Sequence, residues 1–182
     1  LTHSGHSLLE FCDLSAGQNP FAAVLACSDS RVPVEAIFSQ GPGSLFVSRV
    51  AGNVMGSPQI GSLEFAVNEL NVPLVVVLGH TECGAIGAAL SSAKGGIPTA
   101  GSRDDHLGAL LEPIYRTLEK QVGSYLTEGT LDPATAVRLN VRGACEEMME
   151  NSALLASRVE SGRLLVVGGT YDLGTGRVDF LE

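Results

Sequence analysis

Charge is scarce in this chain, and positive charge scarcer still. Of 182 residues only 17% are charged, and 11 basic against 20 acidic side chains leave a formal net charge of −9 with histidine neutral. No run rich in lysine or arginine offsets that balance, which argues against nucleic acid as a partner. No apolar stretch approaches the ~18 residues of a membrane-spanning helix, so no membrane span is expected. The first residues, LTHSGHSLLEFCDLS, hold neither a basic region nor a long apolar core, and no secretion signal is visible. There is no tryptophan, no internal repeat, no low-complexity tract and no long linker. A C-x-x-C pair is missing too, which leaves a thiol redox protein poorly supported.

What is present is apolar: 45% of residues, a globular composition. A chain of this length can bury roughly 70% of its unfolded surface, and residues 1–182 read as one domain. The four cysteines, Cys12, Cys27, Cys83 and Cys145, are even in number. In a chain neither small nor visibly exported, reduced thiols that pack or bind metal are a better reading than disulfides.

Apolar runs at 21–27, 44–51, 72–80 and 163–172 read as strands, with a final edge strand over 177–181. The run at 72–80, β-branched and nearly all apolar, has the character of a central parallel strand covered on both faces. Helical spacing occurs at 32–40, 57–70, 83–92, 106–122 and 134–160, the last interrupted near ENSA, with a loop over 93–105. Ser57 suits the N-cap of the second of these, with Pro58 in its first turn. Strands alternating with helices predict an α/β fold: a mostly parallel central sheet flanked by helices, with an antiparallel C-terminal edge strand. In such sheets sites lie beyond the carboxyl ends of the strands, where the winding direction reverses.

Two segments concentrate polarity at strand ends. ACSDSR (26–31) stops the first strand with a thiol, two hydroxyls, a carboxylate and a guanidinium, and GHTECG (79–84) stops the third. Cys27, Asp29, His80 and Cys83 together offer two sulfurs, an imidazole and an oxygen, a set suited to tetrahedral zinc. Taken singly, Cys27 and Cys83 read as small core residues, His80 as a helix cap, and Asp29 with Arg31 as a surface ion pair. It is their coincidence at two strand ends that points to a metal.

C-x-D-x-R followed by H-x-x-C resembles the β-class carbonic anhydrases. The similarity runs from GQNP (17–20) to YDLGTGRVDFL (171–181) and includes PGSLFVSRVAGNV (42–54) and GSLEFAVNELNVPLVVVLGHTECGAIGAAL (61–90). The resemblance implies zinc held by Cys27, His80 and Cys83 with water or hydroxide in the fourth position. It implies reversible hydration of carbon dioxide to bicarbonate and a proton by that hydroxide. Asp29 and Arg31 would form the dyad that orients it. Gln18, Phe46, Ala51 and Gly84 match the family's substrate pocket, and Phe65 stands where some members carry tyrosine. A homodimer or higher even oligomer is implied, because Gln18 and Phe46 serve a site at a subunit interface. Only about sixteen residues precede GQNP, fewer than the usual N-terminal arm, which leaves the mode of assembly open. The expected location is the cytoplasm or a carbon-fixing compartment. In some bacterial members a tryptophan, an arginine and a tyrosine bind inhibitory bicarbonate; Arg49 and Tyr171 match the last two, but Val24 replaces the tryptophan. Hydrolysis of carbon disulfide or carbonyl sulfide on the same scaffold is the alternative activity. A non-enzymatic zinc- or bicarbonate-binding module is a third reading. Cys12, Cys145, His3, His6 and His106 receive no role in the chemistry.

Overall fold

The structure, a computed structural model, describes residues 14–93, 106–123, 126 and 128–181. His3, His6, Cys12 and most of the expected 93–105 loop lie outside the described residues; Ala93 itself ends a helix. After a 3-10 turn at Leu14–Ala16, the chain forms β1 (Ala22–Ala26), α1 (Val34–Ile37), β2 (Leu45–Arg49), a second 3-10 turn (Ala51–Asn53), α2 (Ser57–Asn68) and β3 (Leu74–His80). It continues through α3 (Gly84–Ala93), α4 (His106–Val122), α5 (Pro133–Asn151), α6 (Ala153–Glu160), β4 (Leu165–Tyr171) and β5 (Val178–Phe180). The sheet order is β2-β1-β3-β4-β5; β5 runs antiparallel to β4, and the other pairings are parallel. The expected α/β class is therefore the observed one.

Three local expectations change. The helix expected over 32–40 is one turn long, because Ser39 adopts a left-handed φ of 53° and ends it. Gly56, not Ser57, is the N-cap of α2, with Pro58 still inside the first turn. The strand expected over 44–51 stops at Arg49, and Ala51 belongs instead to a turn in which Gly52 has φ 71°. The expected interruption near ENSA is real: Ser152 leaves the helical conformation, and its hydroxyl accepts from the Leu155 N–H at 3.2 Å while donating to Glu64 at 2.6 Å. That caps α6 where α5 ends.

Alternation along the central strands sorts the core. Ala23, Leu25, Val75 and Val77 face α2, α5 and α6, packing on Leu63 and Met148. Val24, Ala26, Val76 and Leu78 face the other way, onto Val32 and Val34 around α1. A third cluster, holding Cys27, Cys83, Ile86, Ile114 and Val137, lies at the carboxyl end of the sheet among α3, α4 and α5. Helix α5 touches the sheet closely at Gly79, where an added Cβ would sit 2.6 Å from Val141 Cγ2 and 3.0 Å from Val137 Cγ1. Gly79→Ala is accordingly expected to destabilise the fold by about 1–3 kcal/mol through overpacking. Urea unfolding would measure this, and an unchanged midpoint would mean that α5 yields freely.

Candidate metal centre

β1 and β3 are neighbours, and their register pairs Ala26 with Leu78. Cys27 thus comes level with Gly79, one residue before His80. Beyond His80 the chain turns sharply: Glu82 takes a left-handed φ of 55°, and Cys83 returns beneath the strand ends. The result is a buried trio, Cys27 (3% exposed), His80 (0%) and Cys83 (7%), whose ligand atoms all lie within 4.8 Å of one another.

The donor set fits a zinc ion. The two sulfurs are 4.0 Å apart, close to the ~3.8 Å edge of a tetrahedron with ~2.3 Å metal–sulfur bonds and far beyond a disulfide's ~2.05 Å. His80 Nδ1 lies 2.8 Å from the Thr81 carbonyl oxygen. A carbonyl only accepts, so Nδ1 carries the hydrogen and donates it. Nε2 is buried and has no hydrogen-bond partner among the described residues. A buried nitrogen lone pair left without a partner is costly unless something electrophilic meets it. The thiols reinforce this. Their mutual hydrogen bond lowers the pKa of Cys27 against the effect of burial, while the same bond and burial raise that of Cys83. Burial disfavours the His80 imidazolium, yet the Cys27 sulfur outweighs it and the net shift is upward. Negative charge thus gathers at Cys27, and a cation is its natural complement.

Asp29 stands at the rim. Its carboxylate accepts from Arg31 Nε at 2.9 Å, from Arg31 Nη2 at 2.8 Å and from the Arg31 backbone N–H at 2.9 Å. These bonds hold the carboxyl well below the usual carboxylate range. Its Oδ2 lies 3.9 Å from His80 Nε2, so the carboxylate faces the trio. Arg31 also reaches the Glu82 carbonyl at 3.1 Å, tying the two strand-end loops together.

Of the other residues at the site, Arg49 was read for another role, and Gly52 and Asn140 escaped the sequence reading. Arg49 donates from Nε to the Cys27 carbonyl at 3.0 Å and from Nη2 to the Asp29 carbonyl at 2.6 Å. It is a clamp on the loop, where the resemblance had suggested an anion pocket; Val24, the residue in the tryptophan's place, is buried within β1. The Gly52 N–H donates to Cys27 Sγ at 3.2 Å, and the Gly52 carbonyl accepts from Asn140 Nδ2 at 2.9 Å. A positive-φ glycine and a lone asparagine in an apolar helix stripe were the available signals. Ala51 and Gly84 adjoin Gly52 and Cys83 directly.

Gln18 and Phe46 lie elsewhere. Gln18 is exposed on a groove with Leu14, Phe21 and Pro42, before the start of β1. Phe46 is level with Ala23 in the sheet register and stacks obliquely on Phe65, ring centroids 6.1 Å apart. Four residues of strand, roughly 13 Å, separate that level from Cys27. Cys145 packs half-buried on the core, its thiol pushed up to about 11 by burial, and His106 begins α4 in solvent. A cleft of about 650 Å³ is lined by Glu64, Glu112, Arg116 and Glu147 among others and by none of the trio.

Comparison with known proteins gives a consistent answer. The carbonic anhydrase family profile matches residues 22–178. Carbonic anhydrase 2 of Mycobacterium tuberculosis is 37% identical over 179 residues, covering 96% of this chain and 81% of the relative. The crystal structure of a β-carbonic anhydrase from Aspergillus fumigatus superposes with a TM-score of 0.77 at 30% identity, over 94% of this chain and 80% of that one. A tetrameric β-carbonic anhydrase from Sordaria macrospora gives 0.75 at 27% identity, over 94% and 85%.

Proposed function

Since this chain belongs to the β-carbonic anhydrase family, and is by that membership a lyase acting on carbon dioxide, we propose that Cys27, His80 and Cys83 hold a zinc ion and that Asp29, oriented by Arg31, governs the attacking water. The observation that carries the proposal is the buried trio of ligand atoms within 4.8 Å, with His80 Nε2 left partnerless. Zinc, when bound, supplies a water acidic enough to ionise near neutral pH. Asp29, kept ionised by Arg31, is an acceptor only. It takes a hydrogen bond from the water and leaves that oxygen's lone pair free for the carbon of carbon dioxide. Were hydroxide supplied there, its oxygen would bond to that carbon as one C=O π pair moved onto a substrate oxygen, and bicarbonate and the proton given up by the water would leave to solvent. Ala51 and Gly84 flank the space in which the substrate stands. Stopped-flow hydration of carbon dioxide on metal-quantified protein tests this reading, with carbonyl sulfide and carbon disulfide in parallel. Turnover of the sulfur compounds alone would replace it.

Gln18 and Phe46 fit this function only from a second subunit. They sit toward the opposite end of the strands from Cys27 in their own chain, so the active unit is a homodimer or a higher even oligomer whose sites each borrow these two residues. Gln18→Ala is expected to lower turnover on the order of 10²-fold, the effect of losing one donor to the reacting oxygen. Co-expression of Gln18→Ala with Asp29→Ala chains should then restore about a quarter of the sites, because each mixed pair rebuilds one intact site. Restoration absent from purified mixed dimers would mean that Gln18 does not serve the partner subunit's site. The described residues include no helix long and apolar enough to cross a membrane.

A further inference from the structure

Helix α5 presents one stripe to the end of the sheet, and a single polar residue interrupts it. Ala136, Val137, Val141, Ala144 and Met148 are buried and apolar; Asn140, 3% exposed, lies among them. A buried primary amide is costly unless its hydrogen bonds are used. Asn140 Nδ2 uses one on the Gly52 carbonyl, 88 residues away in sequence. Gly52 has no slack of its own. It holds a φ of 71°, and an added Cβ would sit 2.6 Å from Ile114 Cδ1 and 3.2 Å from Ala85 Cβ. Its N–H is the group that donates to Cys27 Sγ.

We propose that Asn140 is a positioning residue for the metal centre: by gripping the Gly52 carbonyl it keeps the Gly52 N–H aimed at the Cys27 sulfur and so restrains how strongly that thiolate donates to the metal. The inference rests on Cys27 being a metal ligand. A thiolate that accepts an N–H bond gives less charge to its metal, which leaves the metal a better Lewis acid. Two thiolates make this restraint valuable, since both push electron density the wrong way for activating water. The same stripe supports the other half of the site, because Val137 and Val141 close on Gly79 beside His80. One helix face, at spacing i, i+3 and i+4, thus indexes both ligand-bearing strand ends.

The test uses the whole protein loaded with substitute metals. In ¹¹³Cd-loaded, ¹⁵N-labelled parent protein, the Gly52 amide proton is expected to show scalar coupling to cadmium through Cys27 Sγ. In cobalt-loaded Asn140→Leu, the thiolate-to-cobalt absorption band is expected to move to longer wavelength than in the parent. Turnover of the zinc form should fall about 10-fold in kcat with KM unchanged, the low end of the effect of removing such outer support. Asn140→Gln, which keeps the donor, should recover part of the band position. No coupling to Gly52 in the parent overturns the proposal even if Asn140→Leu fails to fold. So does a folded Asn140→Leu with the parent's band. A parent that shows no thiolate–cobalt band at all removes the metal site, and this proposal with it, so the two failures are told apart.

Discussion

Replacing Cys83 by alanine is expected to leave a protein with almost no zinc, no measurable hydration of carbon dioxide and a lowered unfolding temperature. Three protein ligands are the fewest that hold zinc firmly while leaving a position open. The free energy of zinc binding to a site absent from the unfolded chain is also folding free energy, about 10–16 kcal/mol for structural sites. Removing one of the three ligands, a sulfur, should weaken affinity on the order of 10³-fold, or about 4 kcal/mol. Alanine leaves a further defect, because Cys83 is 7% exposed and packs with Cys27 and Ile86. Elemental analysis after purification without added metal, followed by thermal unfolding, checks both effects. Parent-like zinc content in Cys83→Ala would rule the residue out as a ligand.

Asp29→Ala and Arg31→Ala should behave differently: both keep zinc and both lose most of their turnover. Neither side chain belongs to the buried trio. General acid–base groups contribute roughly 10²–10⁴-fold, and Asp29→Ala should fall in that range. Arg31→Ala loses activity through orientation, since a freed Asp29 returns only toward an ordinary carboxyl value near ~3.9 and stays ionised at neutral pH. The folded-state pKa of Asp29 is depressed. Its contribution to stability is therefore complete above the unfolded value of ~3.9 and is lost as pH falls toward the folded value. Parent and Asp29→Ala should differ in urea midpoint at pH 7 and draw together in strong acid. Parent-like turnover in either variant would take the pair out of the mechanism.

The sequence discloses the site unevenly, for physical reasons. Cys27 and His80 were legible because a buried parallel strand is a continuous apolar run, and a polar residue at its end stands out. Their meeting followed from the placing of sites at the reversal of winding, and β1 does lie between β2 and β3. Asn140 was not legible: one asparagine in a helical pattern looks like the margin of the apolar stripe until the fold puts Gly52 opposite it. Arg49 was read for its charge, whereas its geometry is that of a donor to two carbonyls. The end of β2 was misplaced because Val50 and Ala51 continue an apolar alternation that only the φ of Gly52 breaks. Gln18 and Phe46 show the limit of a single chain, since both lie toward the end of the strands away from Cys27, and only the proposed second copy would bring them to a site.

The parallel pairing of β1 with β3 also governs time. Parallel strands cannot be closed by a tight turn, and contacts between distant residues form slowly because chain entropy must be lost first. Cys27 and Cys83 stand 56 residues apart, and the Asn140 grip on Gly52 spans 88. During synthesis both thiols emerge well before α5 exists to seat the turn beneath them. A metal held by the proposed trio would then be captured late, and until its capture the two sulfurs would be open to oxidants. Oxidation and metal loading would then compete for the same pair of atoms for as long as the last third of the chain has yet to arrive and dock.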